Sequence, residues 1–151
     1  MPTIKDQLRA DLTASMKARD QTRIRTLRMA LTSISNEEVS GVAAHDLTDD
    51  EVVKILGREA KRRREAAAAF AEAGREDQAA AERAEEEVLA GYLPAQLGDE
   101  ELTAMVTAAI AETGASGPAG MGQVMKVLTP RVAGRADGSR VAALVRARLS
   151  G

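Results

Sequence analysis

With 151 residues, the chain is long enough to bury roughly two-thirds of its unfolded surface in one or two compact domains; 29% of its residues are charged, yet the formal net charge of −2 by itself names no partner. It has no cysteine, which excludes disulfides, thiolate nucleophiles, Cys-ligated zinc and iron–sulfur clusters. With one Phe, one Tyr and no Trp, the core must be built from Leu, Ile, Val, Met and a great deal of Ala.

The elements follow in chain order. Thr3 and Asp6 are placed as a capping box with Asp in place of Glu, and Ile4, Leu8, Leu12 and Met16 recur at helical spacing to about Arg19. Asp20 is the next N-cap, and Ile24, Leu27, Leu31 and Ile34 form the seam of a second helix ending near Glu38. After a loop at residues 40–46, Thr48 caps a long third helix, with Glu51 expected to close the box and Leu47 to staple onto Val52. This helix is expected to run through Leu56, Ala60, Ala67 and Phe70 to Gly74, a left-handed C-terminal residue. Residues 75–92 hold ten Ala or Glu among eighteen and double back as a fourth helix, making an antiparallel hairpin.

Tyr92-Leu93-Pro94 stops that helix and marks the expected boundary between an N-terminal domain, 1–93, and a C-terminal domain, 94–151. A fifth helix starts at Gly98-Asp99-Glu100-Glu101 in a capping-box and Leu97–Leu102 staple arrangement, with Gly98 a weaker cap than Ser or Asp, and stops at Gly114. Pro118 opens a short sixth helix bearing Met121, Val124, Met125 and Leu128, with Pro130 near its end. Residues 134–138 are a turn, and Val141, Leu144, Val145 and Leu149 mark a seventh helix. No stretch alternates with period two, so the expected class is all-α: a helical bundle with a long hairpin, followed by a small three-helix tail domain. No apolar run approaches the roughly 18 residues of a membrane span and the opening residues lack a signal-peptide pattern, so the expected location is the cytoplasm, with no membrane partner.

A search for chemistry finds little. The single His45 sits in a loop and reads as exposed filler rather than as the base that a Ser nucleophile would need. The acidic runs at 49–51, 85–87 and 99–101 fit helix first turns and a solvated face. The glycine-rich stretch at 117–122 lacks the Lys and the Ser or Thr of a phosphate loop, and glycines that permit a tight turn are the simpler reading. No catalytic residue, metal or cofactor is therefore expected.

Basic residues are more informative. Lys54, Arg58, Lys61 and Arg62 fall on one helical face, with Arg63 and Arg64 read as reinforcing it. Arg23, Arg25 and Arg28 make a looser group, and from residue 118 onward Lys126, Arg131, Arg135, Arg140, Arg146 and Arg148 face only Asp137. Such stripes suit phosphates, and the near absence of aromatic side chains makes base stacking unavailable, so a bound RNA would be read by its shape and backbone.

The runs Thr26-Leu27-Arg28-Met29, Arg62-Arg63-Arg64-Glu65 through Phe70, Ala73-Gly74-Arg75-Glu76-Asp77, Tyr92-Leu93-Pro94, Met121-Gly122-Gln123-Val124-Met125 and Gly134-Arg135-Ala136-Asp137-Gly138, in this order across nearly the whole chain, resemble the GatB/YqeY family. The resemblance is to stand-alone YqeY-like proteins and to the C-terminal helical and tail region of GatB, a subunit of the tRNA-dependent amidotransferase. It implies a non-catalytic accessory role with tRNA as partner, the amidation and glutamine chemistry lying in other parts of that enzyme. The expected RNA-binding residues are Lys126, Arg131, Arg135 and Arg140 of the tail with Lys61, Arg62 and Arg64 of the third helix. Lys126 stands where the family often has glycine. Two alternatives stay open: a helical module that docks a protein partner, and amidotransferase-like activity only together with other subunits.

Overall fold

The helical periodicity is realised throughout the computed structural model, which describes residues 2–150. The helices are α1 (Ile4–Ala18), α2 (Gln21–Glu38), α3 (Asp49–Glu72), α4 (Glu76–Ala90), α5 (Asp99–Thr113), α6 (Met121–Val132) and α7 (Gly138–Ser150), with a single 3₁₀ turn at Pro118–Gly120 and no strand among the described residues. None of these helices is long and apolar enough to cross a membrane. The chain divides into two compact units, Met1–Leu93 and Pro94–Gly151.

In the first unit, local chemistry sets the helix starts. Thr3 and Asp6 form the complete reciprocal capping box, and the Thr3 backbone N–H holds the Asp6 carboxyl below its ordinary pKa. Asp20 caps α2 through the Arg23 N–H at 3.2 Å. Thr48 caps α3, but the Glu51 side chain does not return to it; its carboxylate lies 3.9 Å from His45 Nε2 instead. Between α1 and α2 the chain reverses in two residues. Arg19 takes the left-handed conformation at φ 56°, its N–H donating to Met16 O, while the Asp20 N–H donates to Ser15 O. A non-glycine residue there costs roughly 1 kcal/mol.

α1 to α4 enclose one core of Leu8, Leu27, Ala30, Ile34, Val52, Ile55, Leu56, Ala60 and Leu89, with Leu47 and Tyr92 packed on its margin. The expected α3–α4 hairpin is present. Away from that core it is packed by alanine, with Ala67 and Ala79 buried, which lets the two helices approach closely. α4 is shorter than expected, ending at Ala90 rather than at 92, because Tyr92 and Leu93 form 3₁₀-type bonds to Leu89 and Ala90 that tighten the exit.

The second unit packs α5, α6 and α7 around Leu97, Leu102, Val106, Val124, Leu128, Val141 and Val145. Leu97 and Leu102 bury together across the uncapped start of α5, as the staple requires. Pro118 opens a 3₁₀ turn rather than an α-helix, and Met121 starts α6 with its N–H already donated to Pro118 O. Pro130 lies inside α6, in its last turn, where it removes only one helical bond.

Gly120 is buried, and a Cβ on it would stand 2.6 Å from Ala115 Cβ; nothing lies within 4 Å of a Cβ on Gly122. The tight turn, not a phosphate cradle, accounts for this glycine. Gly120→Ala is expected to lower stability by about 1–3 kcal/mol through overpacking, while Gly122→Ala, in helix with open space, is neutral or gains up to about 1 kcal/mol. Thermal melts of the two variants check the contrast.

Candidate nucleic-acid interface

α3 buries Val52, Ile55, Leu56, Ala60 and Ala67 on one side, which turns Lys54, Arg58 and Arg62 outward. Lys61 shares that stripe, half-buried. Arg62 is 74% exposed and lies only loosely against Glu59, at 3.5 Å. Acids bracket the stripe, with Asp50 and Glu51 before it and Glu65 after it, so its positive field is concentrated within about two helical turns.

Arg63 and Arg64 do not reinforce this face. Their helical phase carries them to the α4 side, where Arg64 Nε pairs with Glu86 at 3.1 Å and Arg63 turns inward. Arg63 Nη1 donates to Glu59 Oε2 at 2.6 Å and to Glu59 O at 3.2 Å, while its Nε lies 3.5 Å from Glu85. Glu59 itself is buried and also accepts from Ser33 Oγ at 3.2 Å, joining α2 to α3. Arg25 of α2 reaches the same Glu85 at 3.7 Å. The sequence reading missed this network, although its signal was present: Glu59 and Arg63 stand in phase with Val52, Leu56 and Ala60, on the core side. Arg63→Met is expected to cost about 2–3 kcal/mol, because it strands a buried carboxylate. In contrast, Glu59→Leu combined with Arg63→Met restores most of the loss. Denaturant unfolding of the single and double variants reads the difference.

In the second unit the tail arginines are largely engaged. Arg131 holds Glu112 of α5 with two bonds, at 2.7 and 3.3 Å. Arg135 Nε donates to Ala95 O and its guanidinium lies 3.8 Å from Glu101; Arg140 donates to Leu97 O and pairs with Asp99. The Leu97 N–H donates to Arg135 O at 2.8 Å, and the Gln96 side chain to Gly134 O at 2.9 Å. Together these bonds clamp residues 95–99 to the turn before α7. Lys126, Arg146 and Arg148 are exposed without an acidic partner among the described residues. The tail looks strongly basic only when counted from residue 118. Counted from Pro94, the unit has six basic and five acidic residues.

One further polar cluster lies in the first unit. The Tyr92 hydroxyl donates to the Asp11 carboxylate, Ser15 Oγ donates to Asp11 O at 2.7 Å, and Arg23 Nε donates to Ser15 Oγ at 3.3 Å. Asp11, Ser15, Asp20 and Arg23 line an open depression of ≈ 190 Å³. Burial first, and then the Asp11 carboxylate, push the Tyr92 hydroxyl well above its ordinary pKa, with Arg23 opposing. The phenol is thereby a fixed donor and not a base. No group of three His, Asp or Glu side chains suited to a metal ion occurs among the described residues. Because folding raises this pKa, the Tyr92 contribution to stability is fully present below about pH 10 and is lost as pH rises beyond it. Alkaline unfolding curves are expected to show that loss in the unaltered protein and to flatten in Tyr92→Phe.

Comparison with known proteins gives the chain its relatives. It is similar to the altered inheritance of mitochondria protein 41, mitochondrial, of Clavispora lusitaniae (strain ATCC 42720), 32% identical over 102 residues. That match covers 66% of this chain and 58% of the relative, so the chain spans little more than half the length of the curated relative it matches. A family model described as Yqey-like protein matches residues 5–149, and on that match the chain belongs to the YqeY-like family.

Proposed function

We propose that the protein is a non-catalytic RNA-binding accessory factor whose partner is tRNA, held through shape and backbone. The observation that carries the reading is the outward stripe of Lys54, Arg58 and Arg62, with Lys61 on the same face. Lys126 offers a further exposed cation in the second unit. Arg64, Arg131, Arg135 and Arg140 contribute charge from positions already tied to acids, which lowers what each adds to a phosphate contact. The link to tRNA-dependent amide transfer rests on the family's likeness to GatB, and the reading sets the chain in the cytoplasm.

The reading predicts binding to unfractionated tRNA that weakens about a hundredfold between 50 and 200 mM salt if four phosphates are neutralised. Lys54→Glu, Arg58→Glu, Arg62→Glu and Lys126→Glu together are expected to abolish most of that binding without unfolding the protein. Unchanged affinity in this variant, or no binding at 50 mM salt, overturns the proposal.

The engagement of Arg131, Arg135 and Arg140 with acids and carbonyls favours a second reading, a helical module that docks a protein partner. Binding that survives ribonuclease treatment and is indifferent to salt selects it. Glutamine-dependent amidation only in the presence of other subunits selects the amidotransferase-like alternative.

A further inference from the structure

The outer face of the α1–α2 hairpin is cationic: it joins Arg25 and Arg28 of the looser α2 group to Arg9, Lys17 and Arg19, apart from the α3 stripe and the tail arginines. On α1, Arg9, Thr13, Met16 and Lys17 are exposed opposite Leu8 and Ser15. On α2, Gln21, Arg25, Arg28, Thr32 and Ser35 recur at steps of four and three, all exposed. Arg28 Nη2 contacts Met16 Sδ at 3.5 Å, which carries its guanidinium across the seam to the neighbour of Lys17. Arg19 projects from the corner between the helices, in a left-handed conformation that glycine would adopt with less strain.

The acids of this hairpin are nearly all committed elsewhere. Asp6 and Asp20 cap the two helices, Asp11 accepts from Tyr92, and Glu38 holds Lys5 at 2.8 Å. Glu37 lies at the far end of α2, more than two turns beyond Arg28. Lys17, Arg19 and Arg28 have no acidic partner among the described residues, Arg9 lies near enough to Asp6 to favour the charged carboxylate without an ion pair, and Arg25, 60% exposed, lies 3.7 Å from Glu85. Unpaired cations thus gather on a unit whose fifteen basic and eighteen acidic residues give it a charge of −3.

We infer that this face is a docking surface for the phosphate backbone of a folded RNA, a second contact area beside the α3 stripe. The inference rests on the reading of the protein as an RNA binder. Cations flanked by the Gln21 and Ser35 side chains suit phosphate oxygens and carry no base code, while the Thr13 and Thr32 hydroxyls donate to Arg9 O and Arg28 O. A membrane or a protein partner would need an apolar anchor, and the face offers only Met16, 43% exposed.

The test compares three full-length proteins: unaltered, Arg9→Gln/Lys17→Gln/Arg28→Gln, and Lys54→Gln/Arg58→Gln/Arg62→Gln. Each is titrated with unfractionated tRNA from 50 to 200 mM salt, alongside phosphatidylserine vesicles. Helical content and melting temperature are expected to stay at the unaltered values in the hairpin variant, since its three residues are exposed. Its tRNA affinity is expected to fall about tenfold or more, and its log–log salt slope to shrink by roughly one per lost contact. Unaltered affinity and slope in the hairpin variant, with weakening only in the α3 variant, overturn this inference and leave the proposed function standing. Failure of the unaltered protein to bind tRNA overturns both, and vesicle binding that depends on the hairpin residues while tRNA binding does not also overturns the inference.

Discussion

Glu59 is the residue on which the first unit's surface depends. A carboxylate buried where α2, α3 and α4 meet has to be matched by a cation, and Arg63 supplies it from one turn along the same helix. Once Arg63 is drawn inward and joined to Glu85, and Arg64 to Glu86, the rotation of α3 about its axis is fixed against α4. The outward direction of Lys54, Arg58 and Arg62 follows from that rotation. Ser33 extends the same network to α2, so the α1–α2 hairpin is held in register with the α3–α4 hairpin by polar bonds as well as by the aliphatic core.

Charge does two kinds of work in this chain, and the geometry separates them. In the second unit, Arg131, Arg135 and Arg140 are spent on Glu112, Glu101, Asp99 and on carbonyls of residues 95–97, closing the entry to α5 against the turn before α7. In the first unit, the cations of the α1–α2 face have no such obligation, because the nearby acids serve as caps or hold Tyr92 and Lys5. An exposed ion pair contributes little to stability but does neutralise the field that an approaching anion meets. Net charge alone therefore ranks the two units in the wrong order for unpaired surface cations: the −3 unit carries more of them than the +1 unit.

The all-α class and the helix starts were legible because they rest on local chemistry. Thr3, Asp20 and Thr48 are each within three residues of the N–H they bind, and apolar spacing of three and four needs no knowledge of neighbours. The fate of each arginine was not legible in the same way. Arg64 meets Glu86 across 22 positions and Arg140 meets Asp99 across 41, and such pairings depend on helix rotation and packing that spacing along the chain does not encode. Arg63 is the intermediate case. Its i, i+4 relation to Glu59 lies within one helix, but Arg63 reads from spacing as part of the basic stripe, and only its phase with Val52 and Leu56 places it at the core. Gly120 was read as a turn glycine, and Ala115 supplies the physical reason.

Aromatic poverty links packing to recognition. Without large rings, the α3–α4 hairpin closes on Ala67 and Ala79, and close-packed alanine leaves the helices near enough for arginine and glutamate to bridge them. The same lack removes stacking platforms from the surface, so a nucleic-acid partner has no base face to be read against. What remains for recognition is the placement of unpaired cations on rigid helices, and that placement is set by which arginines the interhelical seams consume. On the proposed reading, recognition is accordingly a remainder of folding: charges that the seams do not use are the charges available to a phosphate backbone.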